Sequence, residues 1–518
     1  MRVRTLAAAA VGVAAVTAVS RVVGFGRVAV LSHAVGTSCV GDTYQAANAI
    51  PNVVFEVVAG GALASLVVPV LAGAVATGDR ESASRTASAL LTWTVCLLTP
   101  VAIAGMLLAP HLMRLLVGTD PECGRPMTQV GGRMLIVFMP QVVLYGIGIV
   151  LAGIVQAHSR FVGPALAPLL SSVVVITAYL LYAGQDPTGL DRLSRAQELT
   201  LSVGTTLGVA VLSLGLLVPA RRCGLRLRPT WQFPPGIAQR IRALAAAGVA
   251  GLLAQQLALV VALRLAAQGR EGSVVVFQVA TAVFLLPWAV LAVPVATTVF
   301  ARLTASADNG EEDAYAGVAR RALTAVLLAM LGGTAVLVAV ARPAAELLAA
   351  GVPGPDNVAA LADAVVAFAP GLLGYGLLAL VGRALFARGE GRRVAVATVT
   401  GWLVVVVLDI ALVAATDLDR VLALGLGNTG GMTVAGVLLV LGMRRVSPSA
   451  LRGCAPTAAA GVVAAGLAVA VATVLPRSDS SVVMSLLSAA LLAAVALAVF
   501  LGVVRLLRPE ALSVLRDV

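Results

Sequence analysis

The side chains best suited to binding chemistry are polar and charged groups set within apolar sequence near the amino terminus. Arg21 and Arg27 lie in the first long apolar run. Asp42 stands at the entrance to the second run, and Asn52 and Glu56 lie within it. Charged groups are costly inside a membrane and usually face a cavity or a partner. Since a guanidinium can hold two oxygens of a phosphate at once, we interpret these five residues as candidate substrate-binding residues.

A second interpretation of the two arginines needs no ligand. Their long side chains could reach the membrane surface, or could pair within the protein with Asp42 or Glu56. Arg21 and Arg27 are also six positions apart, which does not place them on one face of a straight helix. Both interpretations are compatible with the sequence.

The sequence contains no pattern typical of a catalytic site. It has no GxSxG, Walker A or HExxH motif, and it has no cluster of carboxylates in a polar loop. We therefore predict that the chain is not an enzyme and has neither a metal nor a cofactor. Because no ATP-binding motif is present, any energy source would be an ion gradient, the membrane potential or downstream consumption of a product. Asp409, inside an apolar run, is either a helix-to-helix contact or a protonatable coupling site.

The five cysteines show no CxxC pair and no metal-ligand spacing. Cys39 and Cys123 fall in loops that we predict to lie outside the cell, where a disulfide is chemically allowed. We favour unpaired cysteines, because no spacing points to a particular pair.

The composition is that of a membrane protein. The chain has 518 residues, of which 60% are hydrophobic and 12% charged, and its mean hydropathy is +1.00. A soluble domain is nearer half apolar and a quarter charged. The formal net charge of +12 does not indicate nucleic-acid binding, since the arginines occupy short loops between apolar runs rather than one face.

About 14 apolar runs are long enough to cross a bilayer. The first two cover approximately residues 5–33 and 43–76, and the last two cover 455–476 and 481–505. Arg2 and Arg4 before an alanine-rich run resemble a cleavable signal peptide, but apolar sequence continues past Ser20, which favours a retained span. Arginines concentrate in alternate loops, which predicts that both termini are cytoplasmic.

An internal repeat relates the two halves of the chain. Phe138, Pro140 and Tyr145 match Phe368, Pro370 and Tyr375 at a constant offset. We predict an all-α integral membrane protein with two pseudo-symmetric six-helix lobes plus two C-terminal helices. Parallel halves suit an alternating-access transporter, which binds its substrate at the repeat interface. The predicted parts are an N-terminal lobe at 1–220, a basic cytoplasmic linker at 221–242, a C-terminal lobe at 243–445, and a final helix pair and tail at 446–518.

Several short motifs in the first lobe carry a family resemblance. They are Ser20–Arg27, Gly41–Tyr44, Ile50–Asn52, Gly60–Ala62, Val67–Leu71 and Pro140–Gly146. With these motifs the chain resembles the MurJ/MviN family of lipid II flippases. The resemblance implies a 14-helix fold in a bacterial inner membrane and a central cationic cavity. By position, it also implies roles in transport for Arg21, Arg27 and Asp42.

The implied function is export of lipid II, or of a related polyprenyl-diphosphate glycolipid, for cell-wall synthesis. Membrane lipids and cell-wall synthesis proteins are the further partners that the resemblance implies. The chain departs from the family where arginines are common, since these positions hold Phe55, Glu56 and Ala282. The alternatives are a transporter of another polyprenyl-linked glycan, a drug or cation antiporter, and a paralogue without transport activity.

Overall fold

A computed structural model shows a chain built almost wholly of helices. It describes residues 3–36, 38–57, 67, 71, 75, 78–118, 123–186, 189–232, 237–349, 355–474 and 482–513. No strand occurs in these ranges. The chain divides into two compact units, the first comprising Met1–Gln256 and Arg270–Val275, the second Leu257–Gly269 and Val276–Val518.

The helices of each unit follow one another with short connections. Those of the first unit are Val3–Ala34, Cys39–Phe55, Arg80–Leu107, Ala109–Val117, Gly124–Phe138, Pro140–Ala157, Val162–Ala183, Arg195–Leu214 and Leu217–Arg221. Helices Ile237–Ala267 and Ser273–Pro287 each have residues in both units. The second unit continues with Val293–Asp308, Glu312–Ala349, Pro355–Phe368, Leu372–Ala387, Gly391–Ala415, Arg420–Val446, Cys454–Val474, Val482–Leu507 and Pro509–Ser513.

The helices confirm the predicted membrane architecture. Within the described ranges, 12 helical segments are long and apolar enough to cross a bilayer. They coincide one by one with the third to fourteenth predicted spans. The first predicted span corresponds to helix Val3–Ala34, and the second begins with helix Cys39–Phe55 and then runs largely outside the described residues. The chain is therefore an all-α integral membrane protein.

The two halves share a helix break at the repeated prolines. In the first unit, one helix ends at Phe138 and the next begins at Pro140. In the second, a helix ends at Phe368 and a 3-10 turn over Ala369–Gly371 precedes the next. Proline cannot donate the backbone hydrogen bond of a continuous helix, but it is favoured at a helix start. The sequence repeat thus corresponds to a repeated structural feature.

Small residues let helices of the second unit approach closely. A Cβ added to Gly431 would lie 2.6 Å from the carbonyl oxygen of Gly401 and 2.7 Å from the backbone nitrogen of Val405. Such contacts without side chains are typical of membrane helix pairs. The last two long helices pack on helix Glu312–Ala349 through alanines and Phe500, which is buried.

The expectation of unpaired cysteines is wrong for two of the five. Cys39 and Cys123 form a disulfide, with their Cα atoms 5.4 Å apart. They are separated by 84 positions in sequence, and the fold alone brings the start of helix Cys39–Phe55 to the loop before Gly124. Cys96, Cys223 and Cys454 are free.

Part of the predicted basic linker lies in an extended conformation along helix Arg80–Leu107. Three backbone N–H groups, at alternate positions of segment 225–232, donate to hydroxyl groups that recur every fourth residue of the helix. The pairs are Arg226 with Ser84, Arg228 with Ser88 and Thr230 with Thr92, at 3.2, 3.0 and 3.1 Å. We call segment 225–232 the strap. Leu225 and Leu227 pack against the core of the first unit, whereas Arg226 and Arg228 are exposed.

Candidate functional site

The first helix presents two arginines without acidic partners. Arg21 is exposed and Arg27 is half-buried. Neither forms an ion pair in the part of the chain that the structure describes. This arrangement removes the internal pairing with Asp42 or Glu56 from the alternatives that the sequence leaves open.

Arg27 faces a group of tyrosines in the first unit. Tyr44, Tyr145 and Tyr179 lie within electrostatic range of its guanidinium. The hydroxyl of buried Tyr44 is 2.8 Å from that of Tyr179 and also 2.8 Å from Oγ1 of Thr205. Buried hydroxyls need such partners, since an unpaired polar group in this environment is costly. Helices Cys39–Phe55, Val162–Ala183 and Arg195–Leu214 together therefore position a polar wall beside the arginine.

This hydroxyl cluster was not predicted as a site. Tyr44 lies in one of the family motifs and Tyr145 in the internal repeat, so both had a signal. Tyr179 and Thr205 belong to no motif, and only the packing of the helices brings them to Tyr44.

Asp42 lies away from solvent and caps another helix. It is 3% exposed, and its two carboxylate oxygens accept hydrogen bonds from the backbone N–H groups of Gly272 and Val275, at 2.8 and 2.9 Å. These donors begin helix Ser273–Pro287, where the helix dipole also favours a negative charge. Glu271 accepts a hydrogen bond from the N–H of Cys39 at 2.8 Å, beside the same junction.

Three polar residues at the C-terminal end of the second helix lie in one stripe. Asn48, Asn52 and Glu56 recur every fourth residue, which places them on one helix face. The side-chain amide of Asn52 donates to the carbonyl oxygen of Asn48 at 2.9 Å, and Glu56 is exposed just beyond the helix. Phe55 stands where the family often has arginine, and its ring packs on Tyr145 at 4.7 Å between centroids.

The second unit buries a carboxyl group in a membrane helix. Asp409 is 1% exposed, and its Oδ1 atom has no hydrogen-bond partner among the described residues. A Cβ on Gly427 would lie 2.0 Å from that oxygen, so only glycine fits beside it. Nearby in sequence, Asn428 donates to the hydroxyl of Tyr375 at 3.5 Å and has its own buried oxygen without a partner.

Comparison with known proteins matches most of the chain to one family. The sequence profile of the family described as "Lipid II flippase MurJ" matches residues 31–497. This range begins after Arg21 and Arg27, so the match does not bear on the two arginines.

Curated relatives agree with that match at low identity. A protein of Burkholderia cenocepacia, described as a lipid II flippase MurJ, is 25% identical over 87% of this chain and 87% of its own length. Proteins of Rhizobium meliloti and Rhizobium tropici, described as probable lipid II flippases MurJ, are each 26% identical. The alignment spans 69% of the first of these and 57% of the second, so the chain matches little more than half of one curated relative.

Solved structures show the same fold. A structure of the lipid II flippase MurJ in an inward closed conformation superimposes with a TM-score of 0.75, at 15% identity, over 97% of this chain and 100% of that chain. An inward-facing MATE transporter superimposes with a TM-score of 0.67, at 17% identity, over 83% of this chain and 95% of that one. From the helical architecture and the profile match over residues 31–497, the chain belongs to the MurJ family.

Proposed function

We propose that this protein moves lipid II, the polyprenyl-diphosphate-linked precursor of peptidoglycan, from the inner to the outer leaflet of a bacterial inner membrane. Family membership supports this function, and one observation in the chain carries it. Arg27 is a half-buried arginine of the first helix, and it has no acidic partner among the residues that the structure describes. An unpaired guanidinium in this position is costly unless a ligand supplies the negative charge.

The diphosphate of the substrate is the group that Arg27 fits. A guanidinium binds phosphate oxygens through two parallel hydrogen bonds, and Arg21 lies on the same helix as a second cation. The hydroxyls of Tyr44, Tyr179 and Thr205 are buried and bonded to one another, so they hold the helices together and leave the anion to the arginines. Phe55 and Glu56 replace arginines, so the binding surface of this member holds fewer positive charges and depends more on Arg27.

The remaining parts of the proposal concern setting and partners. Two compact units with a shared helix break are suited to alternating access, with both termini in the cytoplasm. Proteins of cell-wall synthesis would consume the exported precursor. The reaction needs no covalent step, so we assign no catalytic residue.

We propose Asp409 as the group that couples transport to an ion gradient. A buried carboxyl with an unpaired oxygen can exchange a proton or a cation as its surroundings change. This role requires that transport by Asp409→Asn no longer respond to the gradient.

The test is complementation in a bacterium depleted of its own lipid II flippase. We expect the wild-type chain to restore growth and the lipid II exposed at the outer surface. Arg27→Ala should reduce exposed lipid II about tenfold or more, because a hydrogen bond to a charged group contributes roughly 1.5–3 kcal/mol. Arg27→Lys should retain part of the activity, since it keeps the charge but loses the planar fork.

A matched control separates this effect from the loss of any arginine. Arg505 is exposed at the end of helix Val482–Leu507, and Arg505→Ala should transport like the wild type at equal membrane abundance. Full transport by Arg27→Ala would contradict the anion-binding role of Arg27. A stable wild-type protein that restores neither growth nor exposed lipid II would contradict lipid II as the substrate.

A further inference from the structure

A cavity lies between two short helices of the first unit, away from Arg27 in sequence. It has a volume of about 760 Å³ and is open on one side. This size is within the range of small-molecule sites. Helix Ala109–Val117 forms one wall with Pro110 and Arg114, and helix Gly124–Phe138 forms the other.

The second wall is a single polar face of its helix. Its lining residues recur at intervals of three and four, which is the spacing of one helix face. They are Arg125, Thr128, Gln129, Gly132, Arg133 and Ile136. Gly132 of this face packs on Pro110 of the neighbouring helix. The arginines, threonine and glutamine instead border the open space between the helices.

The described lining of the cavity is rich in arginine. Three arginines and no acidic residue are among its described lining residues. Arg133 is paired with Glu198, which is buried and also binds Arg195. Arg114 bonds only the carbonyl oxygen of Pro110 in its own helix, and Arg125 has no partner among the described residues. Two guanidinium groups are therefore available to an anion.

Apolar surface adjoins these charges. Pro110, Gly132 and Ile136 line the cavity, and the side chain of Ile136 is 44% exposed. Leu115, on the same short helix as Arg114, is 66% exposed. A free inorganic anion needs no such surface, whereas a lipid presents a charged headgroup and an apolar chain at once. The lining thus fits an amphiphile better than a soluble ion.

We propose that this cavity binds the phosphate group of an anionic lipid through Arg114 and Arg125. The proposal adopts the membrane orientation of the proposed function, which places the loop between the two helices outside the cell. The lipid would then belong to the outer leaflet. Two sources have this chemistry: a phospholipid of the bilayer, and a diphosphate lipid delivered by transport. Binding at this site requires no transport activity.

The test measures lipid binding to the purified full-length protein by native mass spectrometry. The probes are phosphatidylglycerol, undecaprenyl diphosphate and inorganic phosphate. We expect Arg114→Gln with Arg125→Gln to weaken retention of the preferred lipid about tenfold or more, because each charged hydrogen bond that is lost carries roughly that factor. The lipid that the wild-type protein retains better shows whether the ligand is a bilayer phospholipid or a diphosphate lipid. Arg114→Lys with Arg125→Lys should retain part of the wild-type binding, because lysine keeps the charge.

Controls keep the result tied to the cavity. Arg192→Gln removes an arginine outside the cavity and should leave binding unchanged, and the thermal midpoint of each variant reports its folding. If the variant with Arg114→Gln and Arg125→Gln retained each lipid as well as the wild type does, the proposal would be wrong. If inorganic phosphate displaced the lipid at a concentration similar to that of the lipid, binding would not require an apolar chain. Because no step depends on flipping, a failure of the proposed function leaves this result intact.

Discussion

At the scale of single residues, two buried aspartates of the chain are in opposite situations. The carboxylate of Asp42 accepts two backbone N–H groups at the start of helix Ser273–Pro287. Asp409 has an oxygen with no partner among the described residues. A satisfied carboxylate of this kind stabilises structure, whereas an unsatisfied one is open to a proton or a cation. The same chemical group thus caps a helix in one unit, whereas in the other it has an oxygen unpaired among the described residues.

This contrast predicts different outcomes for the same substitution. Asp409→Asn should leave the thermal midpoint nearly unchanged but remove the response of transport to an imposed ion gradient. Asp42→Asn should lower stability by about 1–3 kcal/mol, because the amide offers one oxygen to two buried donors. Thermal midpoints and gradient-driven transport in vesicles check both. If Asp409→Asn remained gradient-dependent, the coupling proposal would be wrong; an unchanged midpoint in Asp42→Asn would contradict the capping role.

At the scale of helices, close approach depends on glycine. Helices Gly391–Ala415 and Arg420–Val446 meet where Gly401 faces Gly431, and backbone atoms occupy the space that a Cβ would need. Backbone cannot move aside as a flexible side chain can. The pair of helices therefore has little tolerance for added volume at this point.

We predict that Gly431→Ala destabilises the protein by about 1–3 kcal/mol, the usual range for overpacking. Gly466 is the matched control, since nothing lies within 4 Å of a Cβ added there. Gly466→Ala should be neutral or slightly stabilising, because alanine favours a helix more than glycine does. Thermal unfolding in detergent measures both. An equal effect of the two substitutions would show that helix propensity, rather than the close contact, decides the outcome.

At the scale of the whole molecule, the disulfide bears on orientation. Disulfides persist in oxidising surroundings and are rare in the cytosol. The Cys39–Cys123 bond therefore supports the orientation that the loop arginines predict, with these loops outside. It also closes a long loop, which by loop-closure entropy stabilises the fold by about 4–5 kcal/mol.

Cysteine labelling in intact cells tests that orientation. A membrane-impermeant maleimide should label Cys39 and Cys123 only after an impermeant reductant is added. Cys223, which is free and lies within the predicted cytoplasmic linker, should be labelled only after the membrane is permeabilised. Labelling of Cys223 from outside would reverse the orientation. Cys39→Ser should lower the thermal midpoint, whereas Cys96→Ser, which changes an exposed free cysteine, should not.

The sequence predicted the helices better than it predicted the contacts between them. Apolar runs report a membrane span directly, so helices Cys454–Val474 and Val482–Leu507 fell close to the predicted runs 455–476 and 481–505. The repeat of Phe138 and Phe368 also corresponded to a real helix break.

Contacts between distant residues had no comparable signal. The partners of Asp42 are backbone N–H groups, which carry no residue identity, and Cys39 and Cys123 have no distinctive spacing. The roles in substrate binding of Arg21, Arg27, Asp42, Asn52 and Glu56 stay predictions. The cavity beside Arg114 required the angle between two short helices, which no periodicity encodes.

The strap imposes an order on folding. Its three N–H groups pair with hydroxyls that precede them by 142, 140 and 138 positions. At a synthesis rate of about 5–20 residues per second, Ser84 leaves the ribosome roughly 7–28 s before its partner is made. Until then, that end of helix Arg80–Leu107 lacks the three hydrogen bonds to the strap. The first unit therefore reaches its finished form only after the linker that follows it has been translated.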